Sequence, residues 1–283
     1  MVKKDNMTYR ELCCEGFRVL TNAGIEDARY DSVALLEYIF GIDRTWYLLN
    51  GDKPADAVKS KQYAQAVEKR AAHIPLQHIT GQAWFYGNCF KVSPAVLVPR
   101  QDKEVLVEEA LHHINAESRV LDMCTGSGCI LISLSLNSGF KYGLGIDISK
   151  EALMIAQENA KNLNPQNVFW KCGNLFENVD DEVFDVIVSN PPYIKTADIG
   201  NLSEEVRLHD PFIALDGMED GLHFYREITR ESVNHIADSG WLIYETGCNQ
   251  SEDVSRIMLE YGYKEIKVIK DLAGLDRVVA GHR

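Results

Sequence analysis

An α/β architecture, with a doubly wound and mostly parallel sheet behind a small helical bundle, is what this 283-residue sequence predicts. Three observations predict it. Residues before Pro75 carry helical periodicity throughout, in short amphipathic segments. From about residue 99 onward, short apolar runs alternate with amphipathic stretches, the pattern of strand and helix units that build a parallel sheet. The first of those runs empties into a glycine turn, and the next ends in an acid about 20 to 25 residues on. The predicted organisation is a helical domain over residues 1–74, a β-hairpin linker over 75–98 and the sheet domain over 99–283.

Taken in order, helix stops fall at Gly24, Gly41 and Asn50-Gly51, and a last helix rich in Ala, Lys and Glu runs from about Ala55 to His73. Trp46 and its apolar neighbours read as the core of this bundle. From Leu76 to Val98 the residues turn aromatic and β-prone around Gly81 and Gly87, which predicts a hairpin. His112-His113 falls on an amphipathic helix, where solvated positions are expected. Val120-Leu121-Asp122-Met123 is a strand, Cys124 to Gly128 the turn, and a helix begins near Ser127. Further strands follow at Tyr142–Asp147, Val168–Cys172, Phe184–Ser189 and Gly240–Glu245, with Ile266–Ile269 and Arg277–Ala280 as an edge pair. The stretch from Ile194 to Asp220 is long, polar and broken by Gly and Pro, as a loop that closes over a substrate would be. The crevice at the carboxyl ends of such strands brings Cys124 to Gly128, Asp147 and Asn190 together.

Composition bounds the partners. The length suits one large or two ordinary domains, and 46% hydrophobic residues suffices for a substantial core. No run of about 18 apolar residues and no charged-then-apolar leader occurs, so neither a membrane span nor secretion is expected, and a cytoplasmic monomer is. Seven cysteines with no C-x-x-C pair read as reduced thiols. No histidine stands in a ligand spacing such as H-E-x-x-H, so no metal is expected. The net charge of -13 weighs against a nucleic-acid substrate, which calls for a basic face. Basic and acidic residues balance over the first seventy positions, so the acidic excess belongs to the rest of the chain.

Chemistry concentrates in Asn190-Pro191-Pro192-Tyr193, which follows the strand Phe184–Ser189 without a spacer. A planar NH2 group presents two donors, and the Asn190 side-chain oxygen with the Pro191 carbonyl can accept both. Proline brings no competing N–H and holds its neighbour away from the α region. The Tyr193 ring can lie against the planar group. Proline pairs also simply end strands, but the four residues together point to methyl transfer onto nitrogen.

The glycine turn offers the donor site. A dinucleotide would call for a third glycine, and a phosphate-gripping loop for Gly-Lys-Ser/Thr; this turn has neither, and no Lys or Arg lies between Leu121 and Phe140. A site without cations, with Asp122 beside it, suits a ligand whose reactive centre is positive, and S-adenosylmethionine is that ligand. An isolated Gly-x-Gly also occurs in turns that bind nothing.

The chain resembles the release-factor glutamine methyltransferases, which methylate the glutamine amide in the Gly-Gly-Gln loop of peptide chain release factors. Five stretches carry the likeness in order: Pro75-Leu76-Gln77-His78-Ile79-Thr80-Gly81, Leu97-Val98-Pro99-Arg100-Gln101-Asp102-Lys103-Glu104, the glycine turn, Val188-Ser189-Asn190-Pro191-Pro192-Tyr193-Ile194, and Glu205-Val206-Arg207 ahead of Asp210-Pro211. The resemblance implies a seven-stranded class I methyltransferase sheet, a release factor as partner, and Asn190, Pro191, Pro192 and Tyr193 as catalytic. It also implies that Cys124, Thr125, Gly126, Ser127 and Gly128 line the methionine part of S-adenosylmethionine. Asp147 would take the ribose, Asn174 and Leu175 would flank adenine, and Asn190 would touch both cofactor and glutamine. Cys124 stands where many relatives have Gly, Asn174 where Asp is frequent, and Gln101 and Lys103 where Pro and Thr are. Roles for Arg100, Glu104, Glu205 and Arg207 stay open at this point. DNA adenine and rRNA guanine methyltransferases carry the four-residue turn too, so a nucleic-acid amino group is the alternative acceptor. An inactive cofactor-binding adaptor is the third reading, and Asn190 speaks against it.

Overall fold

The computed structural model describes residues 7–283, and tertiary contacts divide them into two compact units. One holds the residues up to Gly81 together with Glu204–His209; the other holds Gln82–Ser203 and Asp210–Arg283.

In the first unit, helices α1 (Tyr9–Asn22), α2 (Ala28–Phe40), α3 (Arg44–Asn50), α4 (Ala57–Ala71) and the short α5 (Leu76–Thr80) begin and end where local chemistry dictates. Thr8 and Glu11 form a reciprocal capping box on α1, Asp43 accepts from Trp46 N–H on α3, and Asp56 accepts from two N–H groups of α4. Gly41 closes α2 in the left-handed conformation, at φ 66°. Leu20, Leu35, Leu36 and Tyr63 form the interior. Tyr63 lies so close to Gly16 that a Cβ there would fall 2.1 Å from its hydroxyl. Arg70, itself buried, joins Asp31 at 2.6 Å to Glu205 of the Glu204–His209 helix at 2.8 Å.

The predicted hairpin starts later than expected. Residues 76–80 are helical because Gly81, at φ 71°, stops the turn. The hairpin proper is β1 (Gln82–Phe85) and β2 (Asn88–Lys91), joined by Tyr86-Gly87 with φ of 46° and 75°. Two positive φ values in a two-residue loop match the twist of paired strands. It is also no mere linker: Phe85 and Phe90 are buried in the sheet unit's core beside Leu106 and Leu131.

The second unit continues with α6 (Glu104–Leu111), β3 (Arg119–Met123), α7 (Cys129–Ser138), β4 (Tyr142–Asp147), α8 (Lys150–Leu163), β5 (Val168–Cys172) and β6 (Phe184–Ser189). After the Glu204–His209 helix, α9, come α10 (His223–Ser232), β7 (Ile236–Glu245), α11 (Ser251–Glu260), β8 (Lys264–Lys270) and β9 (Asp276–His282). Among the described residues the sheet has seven strands in the order β5-β4-β3-β6-β7-β9-β8. The first five in that order run parallel, and β9 is antiparallel to both neighbours. Alternate residues of β3 and β6 feed two cores. Leu121, Met123 and Ile187 enter one, with Tyr225 and Tyr244; Val120, Val186 and Val188 enter the other, with Leu131 and Ile243. Of the expected edge pair only β8 lies at the edge, since β9 is inserted between β7 and β8. The histidine pair divides: His112 is exposed, while the His113 ring stacks on Trp241 at 3.8 Å and meets Glu109 at 2.8 Å. Strand order reverses between β3 and β6, and at such a switch the carboxyl ends of neighbouring strands part to leave a crevice.

Candidate active site

A cavity of about 360 Å³ opens at that switch point, within the range of small-molecule sites. The turn after β3 forms its floor. Cys124 takes φ 62°, a left-handed conformation that a glycine adopts without strain. Thr125 N–H donates to the Ile146 carbonyl (2.9 Å) and its hydroxyl to Asp122 (2.6 Å), and the Gly126 N–H donates to Asp147 (2.8 Å). The buried Asn159 amide donates to the Ser127 carbonyl (3.0 Å), and the Ser189 hydroxyl donates to the Met123 carbonyl (2.7 Å). The turn is thereby held from β4, α8 and β6 at once.

Its two glycines serve different ends. A Cβ on Gly126 would meet nothing within 4 Å, so this backbone faces open space. A Cβ on Gly128 would fall 2.6 Å from the Trp170 ring and 3.1 Å from Ala156. Gly128 is therefore a packing glycine and, unlike Gly126, does not line the cavity. Cys124, Thr125, Gly126, Ser127 and Asp147 do line the cavity, as do Asn174 and Leu175. Burial raises the Asp147 carboxyl despite N–H donors from Gly126 and Ser149. Asn174 is held by Glu177 through its backbone N–H at 3.3 Å. Asp122 is fully buried away from the cavity, and burial pushes it up to about 7 against the opposing hydrogen bond from Thr125.

Asn190 and Pro192 line the cavity; Pro191 and Tyr193 do not. The Asn190 side-chain oxygen is buried and, among the described residues, accepts no hydrogen bond. The Tyr193 hydroxyl points toward Glu245, with 3.5 Å between hydroxyl and carboxylate. Beyond the turn, Ile194 N–H donates to Leu215 O (3.0 Å), Gly217 N–H to Ile194 O (2.7 Å) and Thr196 N–H to Met218 O (3.0 Å). The Gln250 amide spans the Tyr193 and Gly221 carbonyls at 3.0 and 3.2 Å. Pro211, Ile213, Ala214 and Met218 thus reach the cavity wall from a loop tied to the turn it serves.

Sequence reasoning gave no site role to His223, Phe224 or the buried Lys103, all in the cavity wall, or to Gln250, which ties the loop behind it. The absence of Lys and Arg between Leu121 and Phe140 holds for that stretch and not for the cavity, because Lys103 enters from the start of α6. Of its neighbours, Arg100 faces Asp210 at 3.7 Å, and Glu104 accepts from Tyr86 N–H at the hairpin turn at 2.8 Å.

Comparison with known proteins agrees with this architecture. Residues 11–81 match the PrmC N-terminal domain and residues 102–206 the methyltransferase small domain. A release factor glutamine methyltransferase of Geobacter sulfurreducens is 40% identical over 262 residues, covering 93% of this chain and 92% of the relative. Another from Clostridium acetobutylicum is 36% identical over 282 residues, covering 98% of this chain and 99% of the relative. Among solved structures, a methyltransferase from Pyrococcus furiosus superimposes with a TM-score of 0.52 at 16% identity, covering 68% of this chain and 87% of the other. A ribosomal protein L11 methylase from Lactobacillus delbrueckii gives 0.50 at 21% identity, covering 68% and 83%.

Proposed function

The chain belongs to the release factor glutamine methyltransferase family, and from that premise we propose that it methylates the side-chain amide nitrogen of the Gly-Gly-Gln glutamine of a peptide chain release factor. The cavity residues fit S-adenosylmethionine as donor. Open space above Gly126 admits a ligand against the backbone. Each Asp147 oxygen already accepts one N–H and retains a lone pair for a ribose hydroxyl. Asn174 and Leu175 stand where the purine would lie. When bound, the donor supplies an electrophilic methyl carbon on a sulfonium.

The chain's own contribution is placement. An amide nitrogen is barely basic, its lone pair being shared with the carbonyl. Asn190 Oδ1, at the cavity wall, accepts one of its N–H bonds and aims the nitrogen at the methyl group. Methyl transfer onto that nitrogen would leave one surplus proton on the amide, which water can take. Near-attack placement alone supplies roughly 7–11 kcal/mol in the best cases, so no dedicated base is needed. The observation that carries this reading is the buried, unengaged Asn190 Oδ1. An acceptor left empty costs about 1–3 kcal/mol, and an incoming NH2 relieves that cost.

Incubation with methyl-labelled donor tests the reading, with release factor, a variant whose Gly-Gly-Gln glutamine is alanine, and nucleic acid as competing acceptors. Label is expected on the unaltered factor alone. Label on nucleic acid, or equal label on the variant, overturns it. The net charge of -13 disfavours the nucleic-acid outcome.

A further inference from the structure

We propose that Glu245 is a positioning residue for amide methylation: it anchors the Tyr193 hydroxyl and, through the two prolines, sets where Asn190 points. The inference rests on the function reading above. Ser189 and Tyr244 pair in register on the parallel strands β6 and β7, so Asn190 and Glu245 follow at corresponding positions. Glu245 ends β7 and is only 2% exposed. Its Oε1 lies 3.5 Å from the Tyr193 hydroxyl, and its backbone carbonyl accepts from the buried Tyr225 hydroxyl at 2.9 Å. Among the described residues its Oε2 accepts no hydrogen bond. Burial raises the carboxyl, and Lys103, Arg277 and Arg100 oppose that rise. A carboxylate withdrawn from water with an oxygen left over is costly, and a fold that keeps one against its own stability keeps it for function.

Tyr193 carries the anchor to the site. Between it and Asn190 lie only Pro191 and Pro192, whose rings fix φ. A segment that stiff passes a shift at one end to the other. The Gln250 amide holds the Tyr193 carbonyl at 3.0 Å, and Glu245 takes the other end of the same residue. At 3.5 Å the hydroxyl contact is long, and bonds of this kind at catalytic sites often tighten only with the reactants seated. Neither Glu245 nor Tyr193 lines the cavity, so the effect falls on alignment of the acceptor and spares binding of the donor.

Steady-state methylation of release factor by Tyr193→Phe, Glu245→Ala, Glu245→Gln and the double variant Tyr193→Phe/Glu245→Ala tests this, with S-adenosylhomocysteine affinity titrated beside it. Tyr193→Phe and Glu245→Ala should each lower kcat roughly 10- to 100-fold, as loss of a hydrogen bond to a charged group does. KM for the factor and Kd for S-adenosylhomocysteine should stay within about threefold, the pattern of a contact that matters in the transition state. The double variant should fall no further than the worse single one. Glu245→Gln retains an acceptor oxygen and should recover kcat to within about threefold of the unaltered protein. Single effects that multiply, Glu245→Gln as slow as Glu245→Ala, donor affinity falling in step with kcat, or kcat unmoved in either single variant overturns the assignment. If Glu245→Ala does not fold, an unmoved kcat in Tyr193→Phe still overturns it. Hydrogen exchange separates this inference from the function reading: both single variants should speed exchange at the Ile194 and Thr196 amides, which bond to Leu215 and Met218. If the unaltered protein leaves release factor unlabelled, the function reading fails, whereas unchanged exchange at those two amides overturns the role of Glu245 whatever the acceptor.

Discussion

Asn190 and Asp122 are both polar side chains withdrawn from water, but they answer to different demands. Asn190 leaves an acceptor waiting at the cavity wall. Asn190→Ala is expected to abolish turnover while donor affinity, measured by titration, stays within tenfold, or about 1.4 kcal/mol; a larger loss of affinity would assign Asn190 to cofactor binding alone. Asp122 sits behind the turn with a folded pKa of about 7, against an unfolded value near 4. A carboxyl raised on folding binds more protons in the folded state, so its stabilising share is complete below pH ~4 and is lost as pH rises through 7. Denaturant melts from pH 4 to 8 should show wild-type stability falling by several kcal/mol relative to Asp122→Asn; parallel curves would refute the assignment. The motifs made both residues visible in the sequence, but not their surroundings. Nothing in Gly126-Ser127-Gly128 tells that one glycine faces a void and the other a tryptophan, because Trp170 arrives from a distant strand.

Strands and helices obeyed local chemistry wherever their neighbours were local. β3, β4 and β6 were legible as apolar runs, and Gly41 ends its helix as expected. What escaped was set by distant contacts. The position of β9 between β7 and β8 depends on hydrogen bonds that periodicity cannot report, and the burial of His113 depends on Trp241. Lys264, Lys267 and Lys270 on β8 suit a strand with one unpaired side, where charge discourages pairing with another chain. Gln250, just before α11, ties the segment after β6 to Gly221, and nothing in its flanking sequence announces that. Gln250→Ala strands two carbonyls at about 1–3 kcal/mol each if they stay dry. Steady-state kinetics should show a raised KM for the protein acceptor and a lowered kcat with donor binding unchanged; unaltered acceptor kinetics would refute this role.

At the scale of the whole chain, the cavity lies entirely within the sheet unit. A ligand at a hundredfold excess over its Kd stabilises what it binds by about 2.7 kcal/mol. Hydrogen exchange with S-adenosylhomocysteine should therefore slow amides in β3, α7 and β4 while α1, α2 and α4 keep their rates; equal slowing in both units would contradict a site confined to one. The helix-rich start and the strand–helix alternation were readable over the whole length, because each rests on periodicity. Assignment of Glu204–His209 to the helical unit was not, since it rests on contacts as distant in sequence as that of Arg70 with Glu205, 135 positions apart. No helix among the described residues is long and apolar enough to cross a membrane.

The backbone ladder between Ile194 and residues 215–218, closed by Gln250, makes the Asn190 turn and the cavity's outer wall a single mechanical piece. Re-targeting the enzyme to another acceptor is then a matter of transplantation: residues 190–221 exchanged as one block with the matching glutamine should carry their preference with them, whereas piecemeal swaps would inherit mismatched halves.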